Sequence, residues 1–212
     1  MRHRSVALLL AFAALCAAPV LADQGGSPTS KAVSRMGIPY KPDDDQIGPK
    51  ELVDAIRSRR PGGKLLNLDR MLLHSPAFAK GWNGLFAALR LQLTVPAKLR
   101  ELTIMAVGAL NHADYEWGQH EGEFLKAGGT AAQLAALKNV AAAMKNDKLF
   151  DESERATLAL TDEMTRTIKV SDATMQRIRK LLPLDQVIEL IGTIAGYNMA
   201  SRFLVATGVE ME

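Results

Sequence analysis

Three side chains in the middle of the sequence have the types and spacing for proton chemistry. Glu116 and His120 stand four residues apart, which on an α-helix is one turn along the same face. A carboxylate beside an imidazole orients the ring and favours its protonated form, an arrangement suited to general acid–base work. Glu101, fifteen residues before Glu116, adds a second carboxylate. It reaches the same site only if the chain turns back between the two; along a straight helix it would lie roughly 22 Å away. Each residue also has a plainer reading. A lone histidine is usually an ordinary position on a helix face. Glu116 suits the first turn of a helix through the helix dipole, and Glu101 suits an exposed Arg100-Glu101 pair at a helix start. His112 and His74 read as structural or surface residues.

The elements that must position these groups are helical. Leu102, Met105, Ala106, Ala109 and Leu110 recur at the spacing that turns one helix face into a core. Asn111 to Asp114 are turn and cap residues, so a break is expected there, with Asp114 as N-cap of a second helix to about Lys126. Glu101, Glu116 and His120 are expected at the mouth of one mostly apolar pocket lined by Tyr115, Trp117 and residues of the last helix.

The pattern Arg100-Glu101, Tyr115-Glu116-Trp117, His120 and Ala127-Gly128-Gly129, with Tyr197-Asn198-Met199, Arg202 and Phe203 near the end, resembles the carboxymuconolactone decarboxylase family, which includes the alkylhydroperoxidase D-like proteins. The resemblance spans roughly residues 67–210 and implies a compact all-α fold. In the redox branch of that family, a glutamate precedes a Cys-x-x-Cys pair, and a histidine follows four residues after the second cysteine. Counting back from His120 places those cysteines on Ala113 and Glu116 and the glutamate on Glu101. Both thiols are missing here. The resemblance also implies a homo-oligomer with pockets near subunit contacts.

The remaining chain fits an all-α domain with an N-terminal extension. Residues 1–22 have Arg2 and Arg4, an apolar run and Val20-Leu21-Ala22, the marks of a secretory signal peptide cleaved after Ala22. The unbroken apolar run from Val6 to Leu15 is too short to span ~30 Å of hydrocarbon as a helix. The expectation is a periplasmic or secreted protein without a membrane anchor. Cleavage would leave 24 basic against 23 acidic residues, a balance that does not suggest nucleic acid. It would also remove Cys16, the only cysteine, and with it any disulfide or thiol chemistry. Residues 23–48, rich in Gly, Ser, Pro and Asp, read as a flexible or extended arm, and residues 49–212 as a single helical domain.

Helices are expected from Pro49 to Arg60, Asn67 to His74, Ser75-Pro76 to Gln92, Thr94–Pro96 into the central stretch, Thr130 to Asn146, Asp151 to Ile168, Ser171 to Pro183, and Asp185 to Gly208. The last is apolar almost all round, which suits a central or interface helix. Tyr197, Asn198 and Arg202 stand out in it. Buried polar groups must be hydrogen-bonded, so they tie helices together or face a polar cavity; a buried Arg202 would suit a carboxylate of protein or substrate.

Three functions remain open from these residues. The first is a cofactor-free acid–base enzyme acting on a small organic acid or lactone, as the resemblance implies. In it His120 is the acid or base, Glu116 or Glu101 orients it, and Tyr115, Trp117, Tyr197 and Arg202 bind substrate. The second, a thiol peroxidase or disulfide reductase, lacks its thiols. The third is a non-catalytic oligomer that binds a ligand or partner. No metal is expected, because one histidine and two carboxylates make a thin ligand set.

Overall fold

The computed structural model describes residues 32–212, so the expected signal peptide and the first part of the arm lie outside the described residues. The described chain is a set of ten α-helices, and its only β feature is an isolated antiparallel bridge between Val33 and Pro39. α1 (Lys50–Arg57) ends at a single 3-10 turn over Pro61–Gly63; α2 (Asn67–Leu72) and α3 (Pro76–Leu91) follow. α4 (Ala97–Leu110) and α5 (Asp114–Lys126) form a hairpin, α6 (Ala131–Leu137), α7 (Val140–Ala143) and α8 (Glu152–Arg166) pack on α4, and α9 (Asp172–Leu181) packs on α8. α10 (Leu184–Thr207) closes the domain.

The most enclosed helix is α4 rather than α10. Every residue from Glu101 to Gly108 is buried, so α4 is enclosed on all sides, whereas the sequence showed one apolar face. α10 packs Leu190, Ile194, Tyr197 and Leu204 inward, yet exposes Leu184, Ile188 and Val205 along its outer side. It runs antiparallel to α3, with Phe78 and Trp82 against Phe203 and Phe86 against Tyr197.

The break between α4 and α5 is a tight reversal. Ala113 donates its N–H to the Gly108 carbonyl at 2.9 Å while His112 takes a left-handed backbone, φ 53°. The N-cap of α5 is therefore Ala113; Asp114, expected in that place, is already the first helical residue. The single helix expected over Thr130–Asn146 is two, because Lys138 and Asn139 leave the helix and the Asn139 side chain accepts from Ala142 N–H to start α7.

Residues 32–48 contain no helix and are held against the C-terminal segment. Ser34 Oγ donates to the Thr207 carbonyl and Arg35 N–H to that of Gly208, while Tyr40 and Ile47 sit in the core. Gly208 ends α10 in the left-handed region at φ 65°, and a Cβ there would meet the Met36 backbone nitrogen at 2.8 Å. The turn and the close approach both require glycine.

Candidate active site

The α4–α5 reversal carries Glu101 back to His120. Their side chains, each 3% exposed, meet with His120 Nδ1 2.8 Å from Glu101 Oε2. Arg100 Nε adds a contact to Glu101 Oε1 at 3.3 Å, so the Arg-Glu pair exists but is not an exposed one. Burial raises the pKa of the Glu101 carboxyl, but the hydrogen bond and charge of His120, with Arg90 and Arg100, outweigh it and hold the carboxyl below its usual range. An ionised Glu101 assigns the proton to Nδ1, which donates to it, and leaves Nε2 as the ring's free nitrogen.

Two groups face that nitrogen. Glu116 Oε2 lies 3.5 Å from Nε2, one turn back on α5, and the Tyr197 hydroxyl lies 3.3 Å away on α10. Burial pushes the Glu116 carboxyl up, against the pull of His120, Arg90 and Arg60. It pushes the Tyr197 phenol up as well. Nε2 thus lies between a carboxyl and a phenol, and burial favours the proton-bearing form of each. The two glutamates flanking one imidazole are shifted in opposite directions, the pattern that separates acid from base in working sites.

An aromatic column backs the site. Trp82 stacks on Phe86 at 4.7 Å, Phe86 meets the edge of Tyr197 at 5.3 Å, and Tyr197 meets His120 edge-on at 5.2 Å. In front of it lies a cavity of ≈ 40 Å³, lined also by Tyr115, Gln119, Leu66 and three arginines, Arg59, Arg60 and Arg90. At ~10–15 Å³ for each water, this is room for about three. Arg59, Arg60, Leu66, Arg90 and Gln119 also line a groove of ≈ 300 Å³ outside it, so the inner chamber opens through an arginine throat.

The expected pocket is corrected in several particulars. It is not mostly apolar, because its throat carries three guanidinium groups. Tyr115 and Tyr197 line it, as do Glu116 and His120, but Trp117 and Arg202 do not, and Glu101 stands behind His120 rather than on the cavity wall. Trp117, next along α5 from Glu116, points to another side, where Lys138 covers its ring at 3.3 Å and Glu121 takes its Nε1–H. Arg202 is exposed and folds onto its own helix, donating to the Asn198 carbonyl and side chain. Five residues beyond Tyr197, it lies about 140° further around the axis. Asn198 ties helices: its amide contacts Thr165, Asn111 and the Ile194 carbonyl.

The sequence reading missed the arginines and the C-terminal segment. Arg90 stands one turn after Phe86, a cation on an otherwise apolar stripe with Trp82, and that placement was a signal present in the sequence. Glu212 had no such signal. Its carboxylate accepts from Asn67 N–H at 2.7 Å, Tyr115 hydroxyl at 3.1 Å and the Gln119 amide at 2.9 Å, so it fixes two cavity-lining side chains.

Comparison with known proteins agrees with this architecture. Residues 76–163, which hold α3 to α7 and most of α8, match the model of the carboxymuconolactone decarboxylase family. That match supports a place in or near the carboxymuconolactone decarboxylase and alkylhydroperoxidase D-like family. Among solved structures, a peroxidase-related protein from Silicibacter sp. TM1040 superposes with a TM-score of 0.69 at 16% identity, covering 89% of this chain and 96% of its own. The alkylhydroperoxidase AhpD core of a peroxidase-related protein from Ralstonia eutropha JMP134 gives 0.72 at 16% identity, covering 86% and 94%. The debrominase Bmp8, solved in complex with 2,3,4-tribromopyrrole, gives 0.63 at 16% identity over 88% and 94%. At this identity these likenesses establish the fold, alkylhydroperoxidase D-like and all-α. No curated protein matches the sequence. In this chain the positions that the resemblance assigns to a thiol pair hold Ala113, buried in the reversal, and Glu116.

Among the described residues no group of three or more histidine, cysteine, aspartate or glutamate side chains has a metal-holding arrangement, and no helix is long and apolar enough to cross a membrane.

Proposed function

We propose that this protein is a cofactor-free acid–base enzyme acting on a small organic acid or lactone. The observation that carries the reading is the grip on His120: Nδ1 bonded to Glu101, and Nε2 turned toward Glu116, Tyr197 and a cavity. In this reading Nε2 removes a proton from an acidic carbon or activates water, and Glu101 stabilises the imidazolium that forms. Glu116, kept neutral by burial, supplies the proton that the product needs. Thiol chemistry has no support, since Ala113 and Glu116 occupy the positions it would use. The test is proton exchange in D₂O across a panel of small oxo acids and lactones, followed by NMR. Wild type should exchange one acidic carbon-bound hydrogen, and His120→Gln should slow it at least ~100-fold. Equal rates in the two proteins would overturn the reading in favour of a non-catalytic ligand-binding protein.

We extend the proposal to assembly and export. Leu85 on α3 and Ile188 on α10, 41% and 59% exposed, are large apolar side chains left uncovered on the two packed helices, and they suit contact with a second copy of the chain. Light scattering should give at least twice the single-chain mass, and a monomer at micromolar concentration would remove the homo-oligomer. Intact mass of the exported protein should begin at Asp23; a chain beginning at Met1 would remove the cleavage site.

A further inference from the structure

The charges around the throat do not balance. Arg60 is fully engaged, its guanidinium bidentate on the buried Asp69 at 2.6 and 2.8 Å. Arg100 is taken by Glu101. Arg59 spends its Nε on the neutral Asn83 side chain, and Arg90, half-buried, has no hydrogen-bond or ion-pair partner among the described residues. Glu116, the remaining acid of the cavity, is pushed toward its neutral form by burial. Two guanidinium groups, Arg59 and Arg90, therefore line a recessed throat with no carboxylate at ion-pair distance, because the acids around them have nearer partners: Asp69 in Arg60, Glu101 in His120 and Arg100, and Glu123 of the outer groove in Lys126. The burial of Arg59 and the repulsion it receives from Arg60 and Arg90 lower its pKa, the mark of crowded like charge. Retaining an unpaired, partly desolvated cation is costly unless a ligand supplies the anion.

We infer that Arg90, with Arg59 beside it, binds the carboxylate of a small organic acid whose short reacting arm enters the chamber in front of His120. Arg90 is on α3 one turn from Phe86, so a carboxylate held by it lies at the outer edge of the aromatic column. A guanidinium offers a planar pair of N–H donors that matches a carboxylate edge. The inner chamber, with room for about three waters, admits an arm of two or three heavy atoms and not a ring. This inference rests on the acid–base reading only for which end of the ligand reacts. It replaces Arg202, whose guanidinium is committed to Asn198 on the outside of α10, as the carboxylate anchor.

The experiment titrates wild-type protein with propionate, propionamide, benzoate and inorganic phosphate, reading the imidazole resonances of His120 by NMR and affinity by calorimetry. Propionate should bind and perturb His120, and propionamide should bind at least tenfold more weakly. Arg90→Gln should lose at least tenfold in propionate affinity with a melting temperature no lower than that of wild type, Arg202→Gln should lose less than twofold, and His120→Gln should still bind propionate. Equal binding of propionamide, or an unaltered affinity in Arg90→Gln, would overturn the anion site. Binding of phosphate as tight as that of propionate would overturn the carboxylate assignment, and an equal His120 perturbation by benzoate would overturn the short arm. Charge-selective binding without proton exchange in any substrate would remove the acid–base reading and leave the anion site standing; exchange without charge selectivity would do the reverse.

Discussion

Glu116 and Glu154 occupy the same position on two different helices, the third residue, and both are buried, yet they do opposite things. At the start of α8 the N-cap is Asp151, whose side chain accepts from Glu154 N–H at 2.8 Å, while the Glu154 carboxylate reaches back to Asp151 N–H at 3.0 Å. Gln133 and Lys98, at 3.1 and 2.6 Å, occupy what remains of that carboxylate. At the start of α5 the N-cap is Ala113, which offers no acceptor, and Glu116 is not drawn back to the cap. It turns instead to His120 and the cavity. A carboxylate held by a capping box, an amide and a lysine is a structural part; one left with an imidazole, a cavity and a raised pKa is free for proton transfer.

Four substitutions put this contrast between the two acids to the test. The largest effect belongs to the saturated acid. Glu154→Ala removes the capping box and strands Lys98 and Gln133, and thermal or denaturant unfolding should show a loss of about 3 kcal/mol.

Next is Glu101→Gln. The folded pKa of Glu101 is depressed, so its ionic contribution is present above the unfolded value of about 4.5 and is lost as pH falls through the folded value. The substitution should cost about 2 kcal/mol at pH 7, the scale of a charge-assisted hydrogen bond, and the gap to wild type should shrink in acid. A pH-independent gap would mean that Glu101 acts by shape alone.

Glu116→Gln should carry the opposite sign. The folded pKa of Glu116 is raised, so the folded state favours its neutral form; that preference adds no penalty below about pH 4.5 and costs stability as pH climbs above it. Melting curves should show the variant more stable than wild type at pH 7 by about 1 kcal/mol, with no difference near pH 4, while proton exchange falls. Destabilisation at pH 7 would make Glu116 a second Glu154.

The smallest effect is that of Ala113→Ser, which offers α5 the missing acceptor. Unfolding should change by less than about 1 kcal/mol. Any closure of the box would draw Glu116 from His120 and lower exchange without unfolding the protein; unchanged exchange would show that the cap does not govern where Glu116 points.

What could be read in the chain alone was local. The 3.6-residue apolar period, Ser171 as an N-cap and Gly208 as a C-cap depend on neighbours a few residues away, and the structure has helices where those signals stand. The four-residue spacing of Glu116 and His120 is equally local, because it is fixed by helix geometry. Boundaries shifted where a cap depended on the backbone path: Ala113 in place of Asp114, and the interruption at Lys138 and Asn139.

The site itself needed tertiary structure. Whether Glu101 met His120 depended on the direction of the reversal at His112, and the turn at one left-handed residue decides between a hairpin and residues far apart. Arg202 and Arg90 are both arginines on helices with apolar stripes, and nothing in their immediate neighbours says that one lies outside and the other in the throat. That follows from how α3 and α10 rotate to bury Phe86 against Tyr197. Glu212 joins Asn67, Tyr115 and Gln119 across 93 to 145 residues of chain, a separation at which sequence spacing holds no geometric information. Helices and the His120 pair were determined by short-range covalent geometry; the charge of the cavity and the identity of its walls were decided by packing, which brings together groups that the chain keeps far apart.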